Sequence, residues 1–264
     1  MFTLLIDMDG VLTKDKELNL FDFAPQFISF LKEKKIPFRI VSNNSTRSPE
    51  LIVSRLKEKG LNIEVEEFIS PVAVLPQYLR EGRVKSVFVI GTDMLKDFLK
   101  EKGFEVKDNH EVDAVIIGQD KSVNFEKIKK ATSAVFLSKA KIIPVNRSKI
   151  VKDSDGFYFP GAGSYAEMLK TATNYKEEIP NLGKPSKEFI ELALRGLPRK
   201  KVFLISDDIY TDLMGAKELG IGTIFMTTGK YSAEELKKAN FKPDYVFNSL
   251  RELKAEIEQW LSSS

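Results

Sequence analysis

Two aspartates one residue apart, Asp7 and Asp9, are followed at once by Gly10. Carboxylates at that spacing can line a single site where a strand ends, one as nucleophile and the other as acid and base, while the glycine lets the chain turn away tightly. Three other places along the chain carry compatible chemistry. Ser42-Asn43-Asn44 offers a hydroxyl and amide donors to a phosphate oxygen. Lys184, in Gly183-Lys184-Pro185, is a point cation suited to a phosphoryl group and a carboxylate together. Asp207-Asp208, with Asp212 close behind, adds further carboxylates. Gathered in one pocket, Asp7, Asp9, Asp207 and Asp212 would repel one another strongly, which calls for a divalent cation, and an all-oxygen donor set points to magnesium. Phosphoryl transfer asks mainly for in-line positioning and charge neutralisation, and a metal, a lysine and a hydroxyl supply both.

The elements that must position these residues alternate. Short apolar, β-branched runs at 3–6, 38–41, 67–69, 86–90, 114–117, 142–145, 202–205, 222–226 and 245–247 read as strands. Between them, apolar residues recur at helical spacing: Phe23, Phe27, Phe30 and Leu31, then 94–102, 125–137 and 250–261. Strands alternating with helices predict an α/β fold with a parallel sheet, in which ligands bind beyond the carboxyl ends of the strands, where all four features fall. The turn-rich stretch 151–163, with Ser154-Asp155-Gly156 between two β-like runs, predicts a hairpin inside a separate subdomain. The serine tail 262–264 is expected to fray.

Composition narrows the classes. The 264 residues are 42% apolar, enough for a sizeable core. No run of about 18 apolar residues is present, so the expectation is a soluble, cytoplasmic protein without a membrane partner. The absence of cysteine excludes disulfides, thiolate nucleophiles and cysteine-ligated metals, and a single histidine, His110, excludes multi-histidine sites. Lys and Arg number 41 against 38 Asp and Glu, with no basic stripe, so nucleic acid is not indicated.

Taken in order, Asp7-x-Asp9-Gly10, Ser42, Lys184 and Asp207 with Asp212 resemble the four motifs of the haloacid dehalogenase superfamily of phosphatases. Ser42-Asn43-Asn44-Ser45-Thr46-Arg47, Gly183-Lys184-Pro185-Ser186, Gly118-Gln119-Asp120 and Pro160-Gly161-Ala162-Gly163-Ser164 are similar to its p-nitrophenyl phosphatase and NagD-like branch. The resemblance implies a Rossmann-like core at 1–82 and 179–264 with an inserted α/β cap at 83–178. It further implies a magnesium-dependent phosphomonoesterase that forms an aspartyl-phosphate on Asp7, with small phosphorylated metabolites or p-nitrophenyl phosphate as substrates. Asp9 would protonate the leaving oxygen and then activate water, and Ser42, Asn43 and Lys184 would hold the phosphoryl oxygens. Asp7, the Asp9 carbonyl and Asp207 would ligate magnesium with Asp212 in support. Related caps often form dimer surfaces, so a homodimer is compatible with it.

Ser206 stands where the family usually has glycine and is expected to crowd the metal loop, and Asp208 is expected to add negative charge beside it. Ser148 stands where many members of the branch carry an acid, next to the recurrent Asn146. These departures motivate the alternative of a catalytically weak metabolite-binding or regulatory module. Each motif also has a structural reading. Asp7 and Asp9 can cap a turn, Ser42 can cap a helix starting near Ser48-Pro49-Glu50, Lys184 can be a surface lysine, and Asp212 can favour a helix dipole. Gly161-x-Gly163-x-x-Ala166 fits a dinucleotide loop, but no second strand ending in an acid follows, which leaves a helix-starting role. Gly183-Lys184 lacks the first glycine and the Ser/Thr of a Walker A loop. His110 reads as a solvated loop residue.

Overall fold

The structure is a computed structural model that describes residues 2–152 and 157–262. Its strands are β1 (Thr3–Asp7), β2 (Phe38–Val41), β3 (Phe68–Ile69), β4 (Ser86–Ile90), β5 (Glu105–Val106), β6 (Ala114–Ile117), β7 (Lys141–Pro144), β8 (Ile150–Lys152), β9 (Tyr158–Pro160), β10 (Val202–Ser206), β11 (Gly222–Met226) and β12 (Tyr245–Phe247). The chain divides into two bodies. One takes the residues up to Ser42, Pro49–Ile69, and Lys184 onward; the other takes 43–48 and 70–183. The second therefore includes the helix Pro71–Glu81 and the loop after β2 in addition to the 83–178 stretch expected as a cap.

In the first body a six-stranded sheet runs in the order β12-β11-β10-β1-β2-β3, parallel throughout. Leu4-Leu5-Ile6 and Phe203-Leu204-Ile205 are buried at every position because helices cover both faces of a parallel sheet. Leu4, Ile6, Ile40, Ile205 and Ile224 pack in one cluster with Phe27, Leu31, Ile52, Leu253 and Ile257 from the helices Ala24–Glu33, Pro49–Glu58 and Leu250–Ser262. Trp260 secures the last helix. Its ring stacks on Phe203 at 5.4 Å and meets Phe2 edge-on at 5.4 Å.

The second body holds a four-stranded parallel sheet in the order β5-β4-β6-β7, with the helices Asp93–Glu101, Phe125–Leu137 and Ala162–Thr173. Its α/β reading follows from the same alternation of short buried strands and amphipathic helices. β8 and β9 form the expected antiparallel hairpin, while its turn, Ser154-Asp155-Gly156, lies outside the described residues. Ser262 closes the last helix, and Ser263 and Ser264 lie outside the described residues too.

The register carries the functional consequence. Ile6 pairs with Ile205, which puts Asp7 level with Ser206, and Asp7 pairs with Val41, which puts Ser42 one residue beyond Asp7, so all three gather at the carboxyl ends of β1, β10 and β2. β1 runs through Asp7 and β10 through Ser206, one residue further in each case than the apolar runs extend.

Candidate active site

Asp7, the last residue of β1, is only 5% exposed. Its Oδ1 lies 2.6 Å from Lys184 Nζ, and its Oδ2 accepts a hydrogen bond from Ser206 Oγ at 3.1 Å. The same two donors also serve Asp212, whose Oδ2 lies 2.8 Å from Lys184 Nζ and 2.8 Å from Ser206 Oγ. Lys184 and Asp212 are as buried as Asp7, so this is a desolvated charge cluster in which unpaired groups would be costly. Lys184 satisfies two carboxylates at once, which is more than a surface lysine does. Asp212 sits in the single π-helical turn Ile209–Leu213 that follows β10, not merely at a helix dipole.

Asp9 lies just past the strand end and is exposed, and its Oδ2 is 3.4 Å from Ser42 Oγ, the donor in that pair. Ser42 is fully buried and continues the sheet, its backbone N–H donating to the Ile69 carbonyl. Gly10 adopts φ +75°, a left-handed conformation glycine tolerates, and its N–H donates to the Thr13 carbonyl, closing the turn behind Asp9. The Gly10 carbonyl in turn accepts from Thr228 Oγ1 at 2.6 Å.

Asp207 occupies a slot between two glycines. A Cβ on Gly10 would lie 2.0 Å from Asp207 Oδ2, and one on Gly229 would lie 1.9 Å from it. The Lys230 backbone N–H donates to that oxygen. Gly229 was missed by sequence reading; the Thr227-Thr228-Gly229-Lys230 turn after β11 was the only signal that could have found it.

Asn43 is placed differently. It is exposed and belongs to the second body, where a Cβ on Gly183 would stand 2.9 Å from its Oδ1. Asp7, Asp9, Ser42, Lys184, Asp207 and Asp212 are all in the first body.

Burial pushes the Asp7 carboxyl well above the usual carboxylate range, against the pull of Lys184, with Asp212 adding repulsion. Burial likewise raises Asp207, opposed by the Lys230 N–H. Asp212 goes the other way: burial would raise it, but Lys184 and the Ser206 hydroxyl outweigh that and hold it low. Lys184 is kept charged, since attraction to Asp212 and Asp7 overcomes the burial that would lower it.

These features fit a small hard cation. Three buried carboxylates face a single ammonium, Asp7 and Asp207 are the two whose ionised forms are under-compensated, and every available donor is oxygen. Among the described residues no three Asp, Glu, His or Cys side chains form a cage for an ion by themselves. Magnesium needs only one or two carboxylates and keeps several waters.

One expectation requires correction and one holds. Ser206 does not crowd its loop: it is fully buried, and its Oγ, besides facing the two carboxylates, accepts the Asp208 N–H at 3.1 Å. Asp208 does add negative charge beside Asp207, whose carboxyl it helps to raise, while its own carboxylate accepts from Lys230 Nζ at 2.8 Å and from the Thr211 N–H at 2.9 Å. The dinucleotide reading fails on context as expected. β9, which precedes Gly161, is half of an antiparallel hairpin, and Cβ atoms at Gly161 and Gly163 would strike the carbonyls of Ser148 and Arg147 at 2.4 and 2.6 Å. Those glycines allow the helix start to lie against the 147–148 backbone. Asn146 ties that segment to Ser45, donating from Nδ2 to Oγ at 3.1 Å, and accepts the Ser148 N–H on Oδ1. Asp120 locks its own loop through Lys127 Nζ and the Ser122 N–H. His110 is half-buried in a loop.

Comparison with known proteins places this geometry among relatives. The haloacid dehalogenase-like hydrolase family model matches residues 4–105, and a HAD-hydrolase-like model matches 181–253. An acid sugar phosphatase of Staphylococcus saprophyticus is 32% identical over 258 residues, covering 97% of each chain. A p-nitrophenyl phosphatase from Archaeoglobus fulgidus superposes with TM-score 0.83 at 31% identity, over 95% of this chain and 97% of its own. A hypothetical protein from Pyrococcus horikoshii gives TM-score 0.85 at 31% identity, over 97% and 100%.

Proposed function

The chain belongs to the haloacid dehalogenase-like hydrolases and is a phosphatase, and from that premise we propose that it hydrolyses small phosphate monoesters with magnesium, through an aspartyl-phosphate on Asp7. Sugar phosphates and p-nitrophenyl phosphate are the substrates that the names of its relatives suggest. The observation that carries the reading is the fixing of Asp7 between Lys184 and Ser206 at the end of a central strand, with Asp9 beside Ser42 one turn away.

In this reading an Asp7 carboxylate oxygen bonds to phosphorus as the bond from phosphorus to the ester oxygen breaks, and Asp9 gives its proton to that leaving oxygen. Asp9 then takes a proton from water, whose oxygen bonds to phosphorus as the bond to Asp7 breaks, regenerating the carboxylate and releasing phosphate. Ser42 and Lys184 hold phosphoryl oxygens, and Lys184 neutralises charge on Asp7 throughout. Asp7, the Asp9 carbonyl and Asp207 would hold magnesium, which supplies charge neutralisation to the phosphoryl group. Asp212, occupied by Lys184 and Ser206, would support the cluster from behind.

The test is phosphate release from p-nitrophenyl phosphate. Wild type should turn over with magnesium, lose activity when a chelator removes it, and regain activity on adding magnesium back. Asp7→Asn should be silent under all three conditions. Activity that survives chelation, or in Asp7→Asn, would contradict the reading. The rival of a weak binding module loses the support of Ser206, which is buried and hydrogen-bonded, and rests on the charge of Asp208 beside Asp207 and on Ser148.

A further inference from the structure

We propose that Ser206 is a positioning residue for Asp7, holding the attacking carboxylate in a single orientation; this rests on the reading of Asp7 as nucleophile. Ser206 ends β10 and, from the register of Ile6 with Ile205, lies beside Asp7 across the sheet. Its side chain is fully buried and touches three polar groups: the Asp208 N–H at 3.1 Å, Asp212 Oδ2 at 2.8 Å and Asp7 Oδ2 at 3.1 Å. A hydroxyl has one proton and two lone pairs. The Asp208 N–H occupies a lone pair, so the one proton is shared between the two carboxylate oxygens, Asp212 at 2.8 Å and Asp7 at 3.1 Å.

Lys184 reaches the other oxygen of Asp7, at 2.6 Å. Lys184 and the shared Ser206 proton therefore lie on different oxygens of the nucleophile, and contact at both oxygens restricts rotation of the carboxylate as well as its position. The ammonium and the hydroxyl also bridge Asp7 to Asp212 twice over, so the turn Ile209–Leu213 is held to the end of β1 by the same atoms that orient the attack. Glycine at 206 would leave only Lys184, and an ammonium alone does not fix rotation about the bond that carries the carboxylate. Orientation of a reacting group contributes to the rate of the chemical step without touching substrate binding.

The experiment compares Ser206→Ala, Ser206→Thr and Asp7→Asn with wild type on p-nitrophenyl phosphate plus magnesium, with kcat expressed per folded protein from circular dichroism. Loss of one buried hydrogen bond to a charged group predicts a kcat about tenfold lower in Ser206→Ala. KM should move less than about twofold, because the hydroxyl faces carboxylates and not the substrate. Ser206→Thr, which keeps the hydroxyl, should recover most of the loss. Wild-type kcat in Ser206→Ala overturns the proposal, and so does a Thr variant no faster than the Ala variant, which would tie the loss to packing. Turnover in Asp7→Asn would remove the nucleophile on which the proposal rests, whereas a silent Asp7→Asn with a fully active Ser206→Ala removes only the positioning role.

Discussion

At the scale of single residues, the burial of Asp7 makes its charge a burden on the fold. Its carboxyl is pushed well above the usual range, chiefly by burial, so ionising it is harder in the native protein than in the unfolded chain. The sign follows from linkage: stability from this group is fully present at pH below its unfolded value and is lost as pH rises through its raised native value. Asp7→Asn, a neutral isostere, should therefore melt at a higher temperature than metal-free wild type near pH 7–8, and the gap should close in acid as Asp7 becomes neutral by protonation. Thermal melts at several pH values check this, and a gap that widens in acid would contradict it. Most of this cluster was legible in the sequence because Asp7, Asp9, Ser42 and Asp207 sit at or just past strand ends, whereas Lys184 lies between the helices Ala162–Thr173 and Lys187–Ala193, away from any strand end, and was legible only from Gly183-Lys184-Pro185. The partners of Ser206 and Asp208 were not, since whether a side chain crowds a loop or bonds within it depends on where Asp212 and Lys230 arrive from elsewhere in the chain.

At the scale of elements, strand ends and the turns after them set the site. Gly229→Ala would drive a methyl into Asp207 and to within 2.6 Å of the Gly10 backbone, so something must shift. We expect a kcat/KM at least about tenfold lower and a raised magnesium requirement with an unchanged far-ultraviolet circular dichroism spectrum; magnesium titration of activity measures both. Trp260→Ala removes the ring that joins the last helix to Phe203 and Phe2, and should lower stability by about 2–4 kcal/mol in urea unfolding without changing kcat. Strands appear at all nine runs read from the sequence; the central ones, β1, β2, β10 and β11, show best because buried parallel strands are apolar along almost their whole length, whereas β12 is only partly buried. β5 was not found: it has two residues, Glu105 and Val106, one exposed and one half-buried, too few to show any period.

At the scale of the whole chain, the two bodies differ in how they are encoded. The second is nearly continuous, with residues 70–183 carrying all four strands of its main sheet and a core that includes Val87, Phe88, Ile116, Ile142 and Leu169. Expressed alone, 70–183 should unfold cooperatively, with a sigmoidal thermal transition by circular dichroism; a broad, sloping melt would show that it depends on the remainder. The first body is spread over three stretches, and its central pairing joins residue 3 to residue 202. That register has a consequence during synthesis. Ser206 is 199 residues downstream of Asp7, and a ribosome adding roughly 5–20 residues per second needs on the order of 10–40 s to bridge that interval. The amino-terminal strands must wait that long with an unpaired edge, while the intervening body can fold as it emerges. A nascent chain of this protein is therefore most exposed to aggregation between the completion of β3 and the emergence of β10, and that is the interval in which a chaperone would serve it.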